Sequence, residues 1–320
     1  MANAAAAALR RAAPVMWTAV ILASVVVCGT AAYAAWAVHA IAQGAPTWPF
    51  IVGIPFAYLA VPLLLTVFWF AVAWWFRAER PEAIRLALPA RIAMFGGEFV
   101  ALARSIPRMI FYRVLMPDPP PAPAELPILL LHGVGCNAGV WSGFRRRLER
   151  GGLGPVYALS YGPPLASIEH FADQVAARIG DIEAATGASH VVLIGHSMGG
   201  LVARAYLRQY GGAKVRRLIT IGTPHHGSMH AWLMAGVSLS QMRPANAWLA
   251  ALNGRADNVP VASIWSWHDS MVTPQTSSRI ERGENVVLTG VAHNALLDDP
   301  DVFEKTVTQI RIAATSECPA

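Results

Sequence analysis

From residue 12 to residue 76 the chain carries not one Asp, Glu, Lys or Arg. As one helix rising about 1.5 Å per residue, those 65 residues would be roughly three times the thickness of a bilayer's hydrocarbon core. The stretch must therefore fold back. Gln43-Gly44-Ala45-Pro46-Thr47 is the evident break, which predicts two spans, at about 14–41 and 48–76, forming a transmembrane hairpin in residues 1–76. Trp17, Trp36, Trp48, Trp74 and Trp75 lie toward the ends of those spans, where an amphipathic ring prefers the headgroup layer. A cleaved signal peptide is the rival reading of the first span, since Arg10-Arg11, an apolar run and Ala31-Ala32-Tyr33-Ala34 imitate its three regions. The apolar run is long for that role, and a second full span follows it. A lipoprotein site at Cys28 is disfavoured by bulky Val27 before it.

With 55% hydrophobic and 14% charged residues, the 320-residue chain is too apolar for one soluble globule. Its net charge of +6 is unevenly placed: Arg10 and Arg11 supply two charges, and residues 77–116 supply four, with seven Arg against Glu79, Glu82 and Glu98. Residues 117–320 hold 16 basic and 16 acidic side chains, so the basic balance is no argument for nucleic acid. Positive charge flanks both spans and is absent between them, which predicts both ends on the cytoplasmic side. Residues 77–125 read as a basic juxtamembrane segment, a helix lying on an anionic surface or an ordinary solvated one, followed by a stiff Pro-rich spacer at 117–123. Three scattered cysteines, Cys28, Cys136 and Cys318, form neither a disulfide framework nor a metal pair.

From residue 126 to 320, short apolar runs alternate with amphipathic helical stretches, the pattern of an α/β class fold around a parallel central sheet. Strands are predicted at 127–131, 156–159, 190–194, 215–221, 260–265 and 285–289, and helices at 140–149, 168–185, 201–209 and 302–313. At the end of the third strand stands Gly195-His196-Ser197-Met198-Gly199-Gly200, followed at once by a good helix. As a bare string G-x-S-x-G turns up in about one chain in ten of this length. Strand before and helix after are what a nucleophile elbow requires, a strained turn that lifts the Ser197 hydroxyl clear of the sheet.

Serine needs a base, and the base an orienting carboxylate. His293 follows the last strand and Asp269 the strand before it, at the sheet edge that carries the elbow. His225 and His226 are rival bases, whereas His196 should point away and His268 position its loop. Two backbone N-H groups, of Met198 at the helix start and of Val134 in the loop after the first strand, are candidates for the oxyanion hole. His132 and Gly133 of that loop are candidate substrate contacts.

Together, Leu131-His132-Gly133-Val134-Gly135, the Ser197 elbow, Gly222-Thr223-Pro224-His225-His226-Gly227-Ser228, Asp269 with Val272, and Gly290-Val291-Ala292-His293 resemble a bacterial lipase/esterase of the α/β-hydrolase superfamily, triacylglycerol lipase type. The resemblance covers residues 126–313 and implies an α/β-hydrolase fold, a Ser197-Asp269-His293 triad and an oxyanion hole at Val134 and Met198. A bacterial relative with a hairpin implies the inner membrane. The hairpin is no part of the family pattern. Larger members hold calcium beside the histidine loop, but Asn294-Ala295-Leu296-Leu297 follows His293 here, so no metal and no cofactor are expected. Ala292 stands where the family often has glycine.

Residues 229–252 form an apolar insertion, either a lid and acyl-chain channel, with Trp232, Met234 and Met242 as substrate contacts, or a cap packed on the core. No basic clamp for a phosphorylated substrate is evident in the neutral head. The expected function is a membrane-anchored carboxylic ester hydrolase acting on lipids or acyl chains through an acyl-enzyme. An acyl-thioesterase or acyltransferase could use the same triad, and a non-catalytic membrane adaptor could keep the fold alone.

Overall fold

The computed structural model describes residues 16–255 and 257–315; Arg10, Arg11, the first two residues of the expected first span and Cys318 lie outside them. Two long helices open the described chain, α1 (Met16–Ala42) and α2 (Trp48–Trp75). They are joined through Gly44, whose φ of 95° a side chain would oppose. Both are long and apolar enough to cross a membrane. Their apolar surface is mostly open, Val27 being 66% and Trp75 81% exposed, far more than a water-facing surface carries. On α2, Pro62, Thr66, Trp69 and Ala73 are buried at helical spacing, on a helix that packs against α3 (Leu88–Ile110).

Helix α3 is the amphipathic segment expected to lie on a lipid surface or in solvent. Instead, Glu98, Ala101, Ser105 and Met109 are buried, while Leu88 and Ile92 in its first turns are open. Two contacts tie its C-terminal end to the head: Asn137 Nδ2 donates to the Met109 carbonyl at 2.9 Å, and Arg108 pairs with Asp298 at 3.1 Å. Amphipathicity fixed which face is covered, but not by what. After α4 (Tyr112–Leu115), residues 117–124 do not act as a free spacer. Asp118 pairs with Arg178, Arg145 donates to the Pro117 carbonyl, and Ala124 N donates to Thr186 O at 3.1 Å. With α3 already docked, the segment has only to run along the flank of the head.

The head comprises β1 (Ile128–Leu131), α5 (Ser142–Arg150), β2 (Val156–Leu159), α6 (Ile168–Thr186), β3 (Val191–His196), α7 (Met198–Tyr210), β4 (Val215–Ile221), α8 (Val237–Gln241), α9 (Ala247–Asn253), β5 (Val261–Ser266), β6 (Glu284–Leu288) and α10 (Pro300–Thr315). The strands form one sheet in the order β2-β1-β3-β4-β5-β6, every neighbouring pair parallel. Each of the six predicted strands is present within two residues of its expected ends.

Alternation along β1 divides the core. Leu129 and Leu131 enter the layer that holds Phe171, Leu201 and Tyr206, whereas Ile128 and Leu130 enter the layer that holds Trp141, Phe144 and Phe303. Covering both faces explains why the strands read as continuous apolar runs. The chain leaves β1 for β2 on one side and returns to β3 on the other, so the ends of β1 and β3 flank a crevice where such sheets bind ligands.

Candidate active site

β3 ends at His196 and α7 begins at Met198, leaving Ser197 alone to make the turn at φ 55° and ψ −126°. That backbone is strained for any residue with a Cβ, by about 1–3 kcal/mol, and persists because its surroundings over-determine it. Ser197 N donates to Ile221 O at 2.9 Å, and Thr223 Oγ1 donates to Ser197 O at 2.8 Å. A side chain at Gly199 would run into the carbonyl oxygens of Leu131 and His132, and one at Gly200 into Thr223. These close approaches explain why α7 starts three residues earlier than its apolar periodicity suggests: the two glycines are poor helix formers, but packing requires them inside the helix. As the first residue of α7, Met198 has an amide without an acceptor in its own helix, at the positive end of the helix dipole.

The loop after β1 lies against the same serine. A Cβ built on Gly133 would stand 2.9 Å from Ser197 Cβ and 3.4 Å from Ser197 Oγ, so Val134 follows the point of closest approach. His132 is buried, stacked on Tyr161 with ring centroids 4.0 Å apart, and its Nδ1 donates to the Gly133 carbonyl at 2.8 Å. Burial pulls its pKa down to about 4, against the pull of that hydrogen bond. His132 is therefore a neutral brace of the loop. Partly buried Cys136 lies nearby, its thiol pushed up to about 12 by burial.

Asp269 and His293 meet after β5 and β6. His293 Nδ1 donates to Asp269 Oδ2 at 2.9 Å and Oδ1 at 3.0 Å, and both residues are buried. Asp269 Oδ1 also accepts the amides of Met271 and Val272, each at 2.7 Å. Burial alone would raise the Asp269 pKa, but the charge and hydrogen bond of His293 and those two amides outweigh it and hold the carboxyl below its ordinary value. For His293, burial pulls down, whereas the charge and hydrogen bond of Asp269 and the charge of Glu98 pull up, and the balance lies above the ordinary imidazole value. A Cβ at Gly222, just past β4, would come within 3.2 Å of Asp269 Oδ2 and 3.4 Å of His293 Nδ1. The pair thus sits at the sheet edge that carries Ser197.

Glu98, one of the juxtamembrane charges, holds the histidine loop. Its fully buried carboxylate accepts from Ser270 Oγ at 2.7 Å, Asn294 N at 2.8 Å, Asn294 Nδ2 at 2.8 Å and Ala295 N at 3.0 Å. Ser270 Oγ in turn accepts from His293 N at 3.3 Å. One signal was available: Glu98 lies on the same helical stripe as Ala101, Ser105 and Met109, an acid on a face that must be covered. Glu98→Gln is expected to cost about 10- to 100-fold in turnover. It should also move the acidic limb of the pH–rate profile to lower pH, because a lost negative charge makes the His293 imidazolium easier to deprotonate. A variant with an unmoved limb would assign Glu98 to loop architecture alone.

The rival histidines are used elsewhere. His196 Nε2 faces the His293 carbonyl at 3.2 Å, and burial with the nearby His293 lowers it to about 3. His225 is buried between Thr220 Oγ1 at 3.1 Å and Arg204 at 3.4 Å, and His226 lies beside Asn253. His268 accepts the Gly290 amide on Nδ1 at 3.0 Å, the loop-holding role expected of it.

Residues 229–252 form a short 3-10 turn, α8 and α9, closer to a packed cap than to an open channel. Met242 is 4% exposed and, with Leu239, Leu249 and Leu252, belongs to the core layer that includes Met198; Met234 and Val134 pack against that layer. Trp232 is open, with the Arg243 guanidinium 4.5 Å from its ring. Among the described residues no group of three or more His, Cys, Asp or Glu is placed to hold a metal.

Residues 160–296 match the family of the PGAP1-like alpha/beta domain. A triacylglycerol lipase of Pseudarthrobacter phenanthrenivorans is 33% identical over 125 residues, covering 34% of this chain and 36% of that protein. The chain spans about a third of the length of the curated relatives it matches first. Among solved structures, the mature lipase BlEst2 of Bacillus licheniformis superposes with a TM-score of 0.53 at 16% identity, over 60% of this chain and 95% of its own. Lipase B of Aspergillus fumigatus does so with a TM-score of 0.52 at 24% identity, over 57% of this chain and 52% of its own.

Proposed function

Since the chain is an α/β-hydrolase by fold, we propose that it is a membrane-anchored serine hydrolase that cleaves carboxylic esters of lipids or acyl chains. The observation that carries this reading is the strained Ser197 turn beside a buried His293–Asp269 pair. In the reaction, Ser197 Oγ attacks the ester carbonyl while His293 Nε2 takes its proton. Asp269 fixes the imidazole tautomer through Nδ1 and stabilises the imidazolium. The amides of Met198 and Val134 receive the developing oxyanion. Collapse breaks the ester C–O bond, His293 returns the proton to the leaving alcohol, and water then hydrolyses the acyl-enzyme by the same relay. On the cap, exposed Trp232 and half-buried Met234 are the candidate acyl-chain contacts, whereas Met242 is taken up by the core. No cofactor takes part.

The test is labelling by a fluorophosphonate on the detergent-solubilised full chain, located by mass spectrometry. Label is expected on Ser197 in the native protein and absent in His293→Ala. Equal labelling of the variant, or label on another residue, would remove the triad assignment. Parallel assays with an ester, an acyl thioester and an acceptor alcohol separate hydrolysis of esters from the thioesterase and acyltransferase alternatives. The basic residues that follow α2 support a head on the cytoplasmic face of the bacterial inner membrane. A reporter fused after Ala320 that works only outside the cytoplasm would reverse that orientation.

A further inference from the structure

A cavity of about 750 Å³ opens where the C-terminal end of α2, the following loop, α3 and the acid-bearing loop of the head converge. Its polar lining is strongly biased: Arg77, Arg80, Arg85 and Arg91 against Glu79 and Asp269. Asp269 is already committed to His293 and two amides, and Arg85 is paired with Glu82 at 3.3 Å. Among the described residues no carboxylate pairs with Arg77, Arg80 or Arg91. Arg77 lies over the Trp74 ring at 4.0 Å, Arg91 Nε donates to the Leu86 carbonyl at 2.9 Å, and the buried Arg80 Nε has no hydrogen-bond partner.

His268 adds a neutral donor. It lines the cavity and accepts the Gly290 amide on Nδ1, which leaves its proton on Nε2. Burial and the charges of Arg80 and Arg91 lower its pKa to about 4, and burial with Arg77 and Arg91 lowers that of Arg80. With four arginines against two acids, the lining carries a net positive charge. The remaining lining is apolar, Phe70, Trp74, Met94 and Phe95, and is continuous with the open apolar surface of α2.

We propose that this cavity binds one anionic phospholipid, its headgroup phosphate held by Arg77, Arg80, Arg91 and His268 and its acyl chains laid against Phe70, Trp74 and Phe95. A basic clamp was not evident in the neutral head because juxtamembrane residues, over 170 positions away in sequence from His268, supply its charge. Ser197 is not among the lining residues, so the lipid is an accessory ligand that joins hairpin, α3 and acid loop. Arg91, Met94, Phe95 and Glu98 share one face of α3, and the site thereby touches the helix that holds the histidine loop. This assignment does not depend on the triad.

The test reconstitutes the full chain in nanodiscs of equal phosphatidylglycerol and phosphatidylcholine and counts retained lipid by native mass spectrometry. The native chain is expected to retain phosphatidylglycerol in preference. The Arg80→Gln/Arg91→Gln variant should bind it roughly 25-fold more weakly, at about fivefold per arginine facing an anionic headgroup. Glu79→Gln, which removes the uncommitted acid, should hold it more tightly, an independent arm if the double variant folds poorly. Equal retention of the two lipids by the native chain, or no change in the double variant, overturns the proposal. Millimolar inorganic phosphate should leave the lipid in place; displacement would assign the cavity to a soluble anion and overturn the lipid.

Discussion

Ser197→Ala is expected to lower kcat for an acyl ester by about 10⁵- to 10⁶-fold with the fold intact. The fold should survive because the elbow is held by main-chain bonds, Ser197 N to Ile221 O and Thr223 Oγ1 to Ser197 O. Neither uses the serine hydroxyl. Alanine also brings the same Cβ to the same positive φ, so the strain at 55° is unchanged. On the proposed mechanism, what disappears is the atom that forms the acyl-enzyme, while the amides of Met198 and Val134 would still polarise a bound carbonyl. A residual rate above that of water is therefore compatible with the mechanism. Ester turnover and thermal unfolding, measured on the same preparation, decide the matter. Undiminished turnover in a folded variant would place the nucleophile elsewhere.

Asp269→Asn should cost about 10⁴-fold in kcat, and the geometry says how. Asp269 Oδ1 accepts from Met271 N and Val272 N at 2.7 Å each. An asparagine will keep its carbonyl oxygen on those donors, so its NH₂ turns toward His293 Nδ1. The imidazole must then carry its proton on Nε2, the wrong tautomer to accept a proton from Ser197. The variant also loses the charge that holds His293 above its ordinary pKa. On the proposed mechanism the base must be neutral to act, so activity of the native protein should rise with pH through that raised value. In Asp269→Asn the residual activity should follow a limb at lower pH. A pH–rate profile from pH 5 to 9 reads both effects, on the range where an imidazole titrates. An unchanged kcat would show that Asp269 is not the orienting acid.

Asp269 and Glu98 also mark the boundary between local and tertiary information. The strands, the elbow and the order Ser197, Asp269, His293 were legible because each is a local pattern: alternation of burial along a strand, small residues where a turn crowds its neighbours, a loop residue just past a strand end. Parallel β pairing then carries those three residues to one edge without further instruction. Glu98 and the arginine-lined cavity were not legible in the same way. On α3 the sequence shows only an amphipathic helix with scattered charge, and a lipid surface, water and a protein surface all satisfy that pattern. The cap was ambiguous for a similar reason, since Met242 is equally apolar toward a substrate or toward Leu249.

Residue pattern alone thus determined that this chain is an apolar hairpin followed by a parallel α/β head with a serine elbow, because burial periodicity and turn sterics act over a few residues. Which surface covers α3, and so where Glu98 and Arg91 deliver their charge, was decided only in the tertiary structure, because electrostatic effect depends on distance and burial rather than position in the chain.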